Sequence, residues 1–320
     1  MDKKRILLCG ATGFIGRNLL EHYSNHDKYD LRATYFKNSS FKLREQYPNV
    51  RWIYADLNIS HYASYVTKDV DIVLQFAATT SGAKDITTKP YIHVTDNAVM
   101  NSLLLRAAYD NGAKHFIFPS CTVMYQPSDL PLKENDFDGH DELLAKYFGV
   151  GNTKVYIEKM CEFYSRLGRT KHTVLRHSNI YGPHDKYDLE KSHVFGATIT
   201  KVMTAENEVT MWGTGEEKRD LLHVHDLIRF IDAAIEKQET PYELYNVGLG
   251  EAVTIDSLVK KIIKASGKKL KIKKDLSQPT IKTSLFLDCS KAETELGWAP
   301  EISLDDGIDL TLSWYKENIL

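Results

Sequence analysis

Three glycines near the start of the chain constrain its fold more than any other feature. Gly10, Gly13 and Gly16 follow an apolar run that ends at Cys9, and they precede an amphipathic segment. This pattern predicts a buried strand, a turn and a helix. In such a unit the first glycine permits the tight turn, the second lets a pyrophosphate approach the backbone, and the third lets helix and strand pack closely. The motif therefore predicts a dinucleotide site whose pyrophosphate meets the positive end of the helix.

Apolar runs alternate with helical patterns through the first half of the chain. We predict strands at residues 5–9, 31–36, 50–54, 70–76, 115–119 and 173–175, and helices at 97–112 and 146–167. This alternation predicts a parallel sheet covered on both faces, so the fold class is α/β with a Rossmann-type doubly wound sheet. Residues 1–180 are predicted to form this dinucleotide-binding domain, to which the chain returns around 223–247. Residues 181–320 are predicted to form a smaller α/β substrate domain.

Composition excludes several classes of protein. A formal net charge of -2 gives no general attraction to nucleic acid or to an anionic membrane. The four cysteines lie far apart without Cys-x-x-Cys spacing, which predicts reduced thiols in a cytoplasmic protein. The charged start of the chain leads into only a short apolar run, so we expect neither a secretory signal nor a membrane span.

The glycine motif also gives the first cofactor contacts. They are predicted to be Gly10, Thr12, Gly13, Phe14, Ile15, Gly16 and Arg17. Sites that prefer NAD place an acidic residue after the second strand to bind the ribose 2′-hydroxyl, and this chain has none there. Lys37 and Arg17 favour a 2′-phosphate instead. The predicted cofactor is therefore NAD(P), with a preference for NADP(H).

Motifs along nearly the whole chain resemble those of extended short-chain dehydrogenases/reductases that act on nucleotide-diphosphate sugars, closest to the GDP-L-fucose synthase type. The matching segments are residues 10–16, 118–125, 154–164, 176–185, 192–194, 212–215, 219–227 and 296–298. The resemblance implies a nucleotide-sugar oxidoreductase. It adds Asp56, Leu57, Ala77, Ala78 and Lys154 to the expected cofactor contacts.

In the same family the active site consists of Tyr-x-x-x-Lys on one helix and a nearby Ser or Thr. These residues are needed because hydride transfer at carbon must be matched by proton transfer at oxygen. Here the lysine position is Lys154, but the tyrosine position holds Val150. The Ser/Thr position holds Cys121. Its neighbours Ser120 and Thr122 supply a hydroxyl if the strand end is shifted by one residue.

Epimerising members of the family use a cysteine and a histidine as acid and base. His193 matches the histidine, whereas Val123 stands at the cysteine position. Because valine cannot move a proton, epimerisation by this pair is not expected. The candidates to replace the missing tyrosine are Tyr147, Tyr125, His193, His184, a water held by Lys154, and Lys154 itself with a pKa lowered by burial.

The resemblance also places residues on the substrate side. These are Tyr125, Asn179, His193, Val194, Trp212 and Arg219. A guanidinium at Arg219 suits bidentate binding of a diphosphate, and Lys282 is a weaker candidate there. His223 and His225 match a helix-start motif that includes Asp226, so no metal site is predicted.

We predict an NAD(P)-dependent oxidoreductase acting at C4 of a GDP-linked hexose or heptose for capsule or lipopolysaccharide sugars. A GDP-heptose 4-dehydrogenase fits the missing epimerase cysteine. Two alternatives stay open: a GDP-4-keto-6-deoxymannose epimerase/reductase, and a non-catalytic subunit that binds a nucleotide sugar or dinucleotide. The family uses the helices at 97–112 and 146–167 for a four-helix dimer interface, so we expect a homodimer.

Overall fold

The computed structural model describes residues 3–36, 41–79, 89, 91–189, 192–278 and 284–320, so Lys37 and Lys282 lie outside the described residues. The strands are β1 (Lys4–Cys9), β2 (Tyr29–Tyr35), β3 (Arg51–Tyr54), β4 (Ile72–Gln75), β5 (His115–Pro119), β6 (Lys171–His177), β7 (Asn179–Tyr181), β8 (Glu208–Trp212), β9 (Lys218–Arg219), β10 (Leu221–His223), β11 (Tyr242–Val247), β12 (Val253–Thr254) and β13 (Lys271–Asp275). The α-helices are α1 (Phe14–Ser24), α2 (Phe41–Gln46), α3 (Ser60–Val66), α4 (Tyr91–Asp110), α5 (Phe148–Arg166), α6 (Val194–Thr204), α7 (Val224–Lys237), α8 (Ile255–Ser266), α9 (Ser290–Leu296) and α10 (Leu304–Asn318). None of the helices in these described ranges is long and apolar enough to cross a membrane.

The chain divides into two compact units. The first unit comprises Met1–Met124, Gly139–Arg176 and Ile231–Tyr245, and the second comprises Tyr125–Asp138, His177–Phe230 and Asn246–Leu320. Residues 125–138, which the sequence assigned to the first domain, belong to the second unit. Their backbone bonds to segment 284–288 account for this: the N–H of Leu132 donates to the carbonyl of Phe286 at 3.0 Å, and that of Asp288 donates to Leu132 at 2.8 Å.

A seven-stranded sheet forms the centre of the first unit. Its strand order is β11-β6-β5-β4-β1-β2-β3, and the pairs from β3 through β6 are parallel. The order reverses between β1 and β4, which is where doubly wound sheets open a ligand crevice at the carboxyl ends of the strands. The predicted fold class is therefore confirmed.

The predicted strands of the first half all have observed counterparts, whose ends differ by at most two residues. The helix predicted at 97–112 begins earlier, at Tyr91. Residues 91–96 mix polar with apolar side chains, so the apolar pattern did not extend to them, yet the polar side chains do not interrupt the helix. The amide of Asn97, for example, donates to the carbonyl of His93 at 2.7 Å.

The core of the first unit lies between the sheet and helices α3, α4 and α5. Leu7, Val73 and Phe116 on neighbouring strands are fully buried there, together with Leu104 of α4 and Cys161 of α5. Strands buried on both faces need uninterrupted apolar sequences, which is what residues 6–9 and 72–74 supply.

The second unit has its own core. Tyr181, Phe195 and Ile199 pack there with Leu258 of α8 and Leu312 of α10. Tyr181 stacks on Phe195 with ring centroids 4.0 Å apart. Its small sheets pair β7 with β10, β9 with β12 and β8 with β13.

Candidate active site

A crevice in the first unit lies at the carboxyl ends of β1 to β4. Its volume is about 570 Å³, within the usual range for ligand sites. The predicted cofactor residues that line it are Gly10, Thr12, Gly13, Asp56, Leu57, Ala77 and Ala78. Phe14, Ile15, Gly16, Arg17 and Lys154 are described but do not line it. Residues that the sequence reasoning missed are Thr34, Tyr35, Phe36, Ala55, Asn58, Phe76, Thr79, Asp96, Val99 and Met100.

The three motif glycines differ in what a side chain would meet. Gly10 has φ +79°, and a Cβ there would lie 2.6 Å from the backbone nitrogen of Ala77. A Cβ on Gly16 would lie 2.0 Å from the carbonyl oxygen of Gly10, so this glycine sets the contact between helix and turn. A Cβ on Gly13 would meet only that same oxygen, at 3.4 Å, and otherwise faces open space. Gly13 is therefore the position where a ligand can approach the backbone.

The start of α1 fits the pyrophosphate of a dinucleotide. Gly13 precedes the helix without a side-chain cap, and the first turn carries no acidic residue. The first N–H groups of a helix have no partner within it and attract an anion. The described residues thus leave these donors to a bound phosphate.

Two arginines are candidates to bind a ribose phosphate: Arg17 follows the glycine motif, and Arg44 contacts a residue of the crevice. The Nε atom of Arg17 is buried, and it has no hydrogen-bond partner among the described residues. The guanidinium of Arg44 lies 4.5 Å from the ring centroid of Tyr35, a crevice residue, and donates to its hydroxyl at 2.9 Å. A buried guanidinium nitrogen without a partner is costly, so an anionic group is the fitting ligand. Arg44 was missed because it lies on the next helix, outside the glycine motif.

Lys154 projects from α5 to the end of β5. Its Nζ atom donates to the carbonyl oxygen of Pro119 at 2.7 Å and lies 4.6 Å from the ring centroid of Phe118. Burial lowers the pKa of Lys154, while Cys121 and Glu158 act in the opposite direction. The lysine is therefore a cation held inside the first unit and not a solvated helix residue.

A buried charged cluster lies next to this lysine. The Ser120 hydroxyl donates to Glu158 at 2.5 Å, and Arg176 donates to the same carboxylate at 2.8 and 3.1 Å. The side chains of Arg176 and Glu158 are only 5% and 4% exposed. Because the Ser120 hydroxyl is engaged here, Cys121 and Thr122 remain as the partly buried candidates at this strand end. Burial raises the pKa of the Cys121 thiol, with Lys154 opposing that shift.

Val150 and Val123, which the resemblance places at the tyrosine and cysteine positions of the family, are both apolar. Val150 lies in the first turn of α5, one turn before Lys154 and on the same face. A Cβ added to the neighbouring Gly151 would meet Leu143 at 2.7 Å and Val123 at 3.7 Å. Tyr147 ends a 3-10 turn just before the helix, with the Lys146 ammonium 5.1 Å from its ring centroid. Tyr147 thus stays a candidate acid or base next to these apolar residues.

Tyr125 is buried in the second unit. Its hydroxyl donates to the side-chain oxygen of Asn246 at 2.8 Å. Asn246 is itself fixed by Leu132 and Glu134. Because its hydroxyl is used in this hydrogen bond, Tyr125 has a structural role, which argues against the predicted contact with substrate.

Other predicted substrate residues surround a buried carboxylate that the sequence did not reveal. Asp220 accepts backbone hydrogen bonds from Leu249 at 2.8 Å and Leu287 at 3.1 Å, and burial raises its pKa to about 6. The amide of Asn179 donates to the Asp220 carbonyl at 3.2 Å, and Arg219 precedes Asp220 in the chain. The Asp220 carboxylate therefore joins the backbone of Leu249 to that of Leu287, next to the strands β7 and β9 that carry Asn179 and Arg219.

The remaining substrate candidates lie apart from that cluster within the second unit. His193 is exposed and precedes α6, whose first residue is Val194. Trp212 ends β8 with 46% of its surface exposed, and the Lys201 ammonium lies 4.7 Å from its ring centroid. An exposed indole of this kind can stack on a nucleotide base.

His223 and His225 are in ring contact, with centroids 4.7 Å apart. His223 is fully buried, which lowers its pKa to about 3, and its Nδ1 atom accepts the backbone N–H of His225. No cluster of three or more potential metal ligands occurs in the described part of the chain. These contacts give the pair a structural role at the start of α7.

Comparison with known proteins agrees with this geometry. The model of the NAD dependent epimerase/dehydratase family matches residues 6–248. GDP-L-colitose synthase of Yersinia pseudotuberculosis is 28% identical over 97% of each chain, and GDP-L-fucose synthase of Escherichia coli (strain K12) is 30% identical over 99% of this chain and 98% of its own. The crystal structure of UDP-glucuronic acid 4-epimerase from Bacillus cereus, in complex with UDP-glucuronic acid and NAD, is 26% identical, with a TM-score of 0.84 over 98% of this chain and 99% of that one. These matches confirm the predicted enzyme class and the nicotinamide dinucleotide cofactor.

Proposed function

Because the chain belongs to the NAD dependent epimerase/dehydratase family, we propose that it oxidises or reduces C4 of a GDP-linked hexose or heptose. The relatives named above include synthases of two GDP-linked deoxysugars, and a GDP-mannose 3,5-epimerase of Oryza sativa is 25% identical over 99% of this chain. Such names support a GDP-sugar substrate. We further propose that the product serves capsule or lipopolysaccharide sugar synthesis.

One observation carries the proposal: the lysine of the active-site helix is held in place while the tyrosine is absent. Lys154 donates to Pro119 and is partly buried near Cys121, whereas Val150 occupies the preceding turn. A bound nicotinamide ring would accept or donate the hydride, and a protein group must then move the proton of the C4 oxygen. Lys154, with its pKa lowered by burial, moves that proton directly or through a water that it holds.

Cys121 takes the position from which the family hydrogen-bonds the same sugar oxygen. Its thiol is a weak donor, and burial keeps it protonated by raising its pKa. Thr122 is the neighbouring alternative with a stronger hydroxyl donor. Loss of the tyrosine is expected to slow the reaction roughly a hundredfold to ten-thousandfold relative to a complete site.

The proposal separates oxidation at C4 from epimerisation. Val123 stands at the cysteine position, packs toward Gly151, and cannot exchange a proton with the sugar carbons. His193 alone does not complete the acid/base pair. We therefore favour a dehydrogenase, such as a GDP-heptose 4-dehydrogenase, that passes a ketone to separate epimerases and reductases.

The test begins with mass spectrometry of small molecules released from the purified protein. The protein is then incubated with NAD(P) and either GDP-mannose or GDP-heptose, or with NAD(P)H and GDP-4-keto-6-deoxymannose, in deuterated water. We expect conversion at C4 without enzyme-dependent deuterium uptake at C3 or C5. Rapid uptake there would instead favour the epimerase/reductase, and a bound nucleotide with no conversion of any substrate would favour a regulatory binding protein.

A matched pair of variants separates the role of Lys154 from a general effect on its helix. Lys154→Met is expected to abolish conversion. Lys159→Met changes a 67% exposed lysine of the same helix and is expected to leave conversion unchanged. Equal activity of the two variants would remove Lys154 from the proposal.

We also propose that the protein is a homodimer through α4 and α5. These helices pack on each other, and the Ser102 and Tyr156 hydroxyls lie 3.1 Å apart between them. Of the two, α5 exposes apolar side chains that do not line the cofactor crevice, including Tyr156 at 45% and Phe163 at 52%. Light scattering of wild type against a Phe163→Glu variant tests this, since a monomeric wild type would refute it.

A further inference from the structure

A second cavity of the first unit lies at the opposite ends of the sheet strands from the cofactor crevice. It measures about 720 Å³ and is lined by Lys3, Lys4, Arg5, Asp71, Ile72, Lys114, His115, Lys171 and Ile235. Lys4, Ile72, His115 and Lys171 are the first residues of β1, β4, β5 and β6, which are adjacent in the sheet. The cavity, here called the basic pocket, therefore opens at the amino ends of four central strands.

The lining of the basic pocket is strongly cationic. Five of its nine residues are lysine or arginine and one is acidic, whereas the whole chain has a net charge of -2. His115 adds no charge, because burial and the nearby Lys171 hold its pKa well below the usual range. Its Nε2 atom bonds the hydroxyl of Thr173 at 2.7 Å.

Three of the five cationic side chains are held by polar partners. Asp71 binds the Arg5 guanidinium at 3.1 and 3.3 Å and lies 3.3 Å from the Lys114 ammonium. Lys171 donates to the carbonyl of Gln238 at 2.5 Å. The exposed side chains of Lys3 and Lys4 form no ion pair within the described residues. One carboxylate and one carbonyl thus position three cations, and the other two lining lysines have no ion-pair partner among the described residues.

Further carboxylates lie outside the lining. Asp30 and Asp69 act on Arg5, and Glu239 acts on Lys171. These carboxylates reduce the positive electrostatic field at a distance, but they do not line the cavity. A ligand inside therefore meets cations from three separate segments of the chain. Converging cations in a concave site focus the field on an anion and strengthen its binding.

We propose that the basic pocket binds a small polyanion that carries a di- or triphosphate group. Several phosphate oxygens can each meet an ammonium or guanidinium from a different wall, and a single carboxylate or sulfate would leave most of them unused. The pocket is separate from the cofactor crevice, because β1 runs from Lys4 at one to Cys9 at the other, on the order of 17 Å. Binding here neither requires nor excludes the C4 chemistry proposed above.

The test is calorimetric titration of the full chain, carrying any purification tag at its C-terminus, with inorganic tripolyphosphate at constant ionic strength. Saturating NAD(P) is present throughout, so that the crevice is blocked. The pocket variant is Lys4→Gln/Lys114→Gln, which removes two exposed charges. The control is Lys42→Gln/Lys159→Gln, with the same change in charge elsewhere on the first unit.

We expect the wild type and the control to bind with equal affinity, and the pocket variant to bind about tenfold more weakly. Three results would overturn the proposal. They are no binding by the wild type at millimolar ligand, equal weakening in the two variants, and binding that appears only when NAD(P) is left out.

Discussion

Replacing Glu158 with leucine is expected to destabilise the first unit severely. Its carboxylate accepts hydrogen bonds from Ser120 at 2.5 Å and from Arg176 at 2.8 and 3.1 Å, and both members of the ion pair are at most 5% exposed. Removing one partner of a buried pair costs about 3–5 kcal/mol, because the other charge stays buried and unpaired. We therefore expect the free energy of unfolding to fall by about that amount.

Urea unfolding monitored by circular dichroism, at fixed protein concentration, measures this loss. Hydrogen exchange of α5 and β6 localises it to the first unit. The control is Glu162→Leu on the same helix, whose carboxylate is 25% exposed and pairs with Lys159 and Arg166. That change is expected to cost about 1 kcal/mol or less, as surface ion pairs do.

A double variant decides whether the pair is coupled. Glu158→Leu/Arg176→Leu leaves no unpaired charge, and apolar replacement of a buried pair is often close to neutral. It is expected to recover most of the stability lost in Glu158→Leu. A loss below about 1 kcal/mol in the single variant, or a double variant whose loss equals the sum of the two single changes, would refute the reasoning.

Four further predictions concern the two units separately. Val150→Tyr restores a phenol one turn before the active-site lysine, and should raise kcat roughly a hundredfold above Val150→Phe in an NAD(P)H absorbance assay; equal rates would contradict the proposed role of this position. Gly16→Ala should abolish cofactor binding in a fluorescence titration, because its Cβ would lie 2.0 Å from a backbone oxygen. Gly13→Ala should retain the fold and only weaken binding. Arg17→Met should weaken NADP(H) about tenfold relative to NAD(H) in competitive titrations. Burial lowers the pKa of His223 from 6.5 to about 3. The neutral imidazole therefore contributes its full stability above pH 6.5, and this contribution is lost as the pH falls from 6.5 toward 3. His223→Gln should make the free energy of unfolding, measured by urea titration, fall less steeply over that pH range.

The fold could be predicted from the sequence because its signals are local. The glycine motif and the apolar runs each lie within a few neighbouring residues, and the observed strands follow them closely. The crevice residue Gly10 was predictable for the same reason, since it directly follows β1, whereas Asp56 and Ala77 were expected from the family resemblance.

The parts that sequence reasoning missed depend on distant pairs. Tyr125 and Asn246 are 121 residues apart, and their hydrogen bond is what engages the tyrosine hydroxyl. Ser120 looked like a spare hydroxyl until its bond to Glu158, 38 residues later, was seen. The basic pocket has the same origin, because its lysines are scattered in sequence and meet only where parallel strands begin.

Lys154 is the residue that distinguishes an altered active site from an abandoned one. A lysine on a helix surface usually extends its ammonium into water, where hydration is most favourable. Lys154 instead turns inward and donates to the carbonyl of Pro119, and burial lowers its pKa, with the Glu158 carboxylate opposing that shift. Holding a cation at this strand end is unfavourable unless the charge is used there. Under the proposed function, Val150 at the tyrosine position changes which group moves the proton, and Lys154 supplies the electrostatic part of the site.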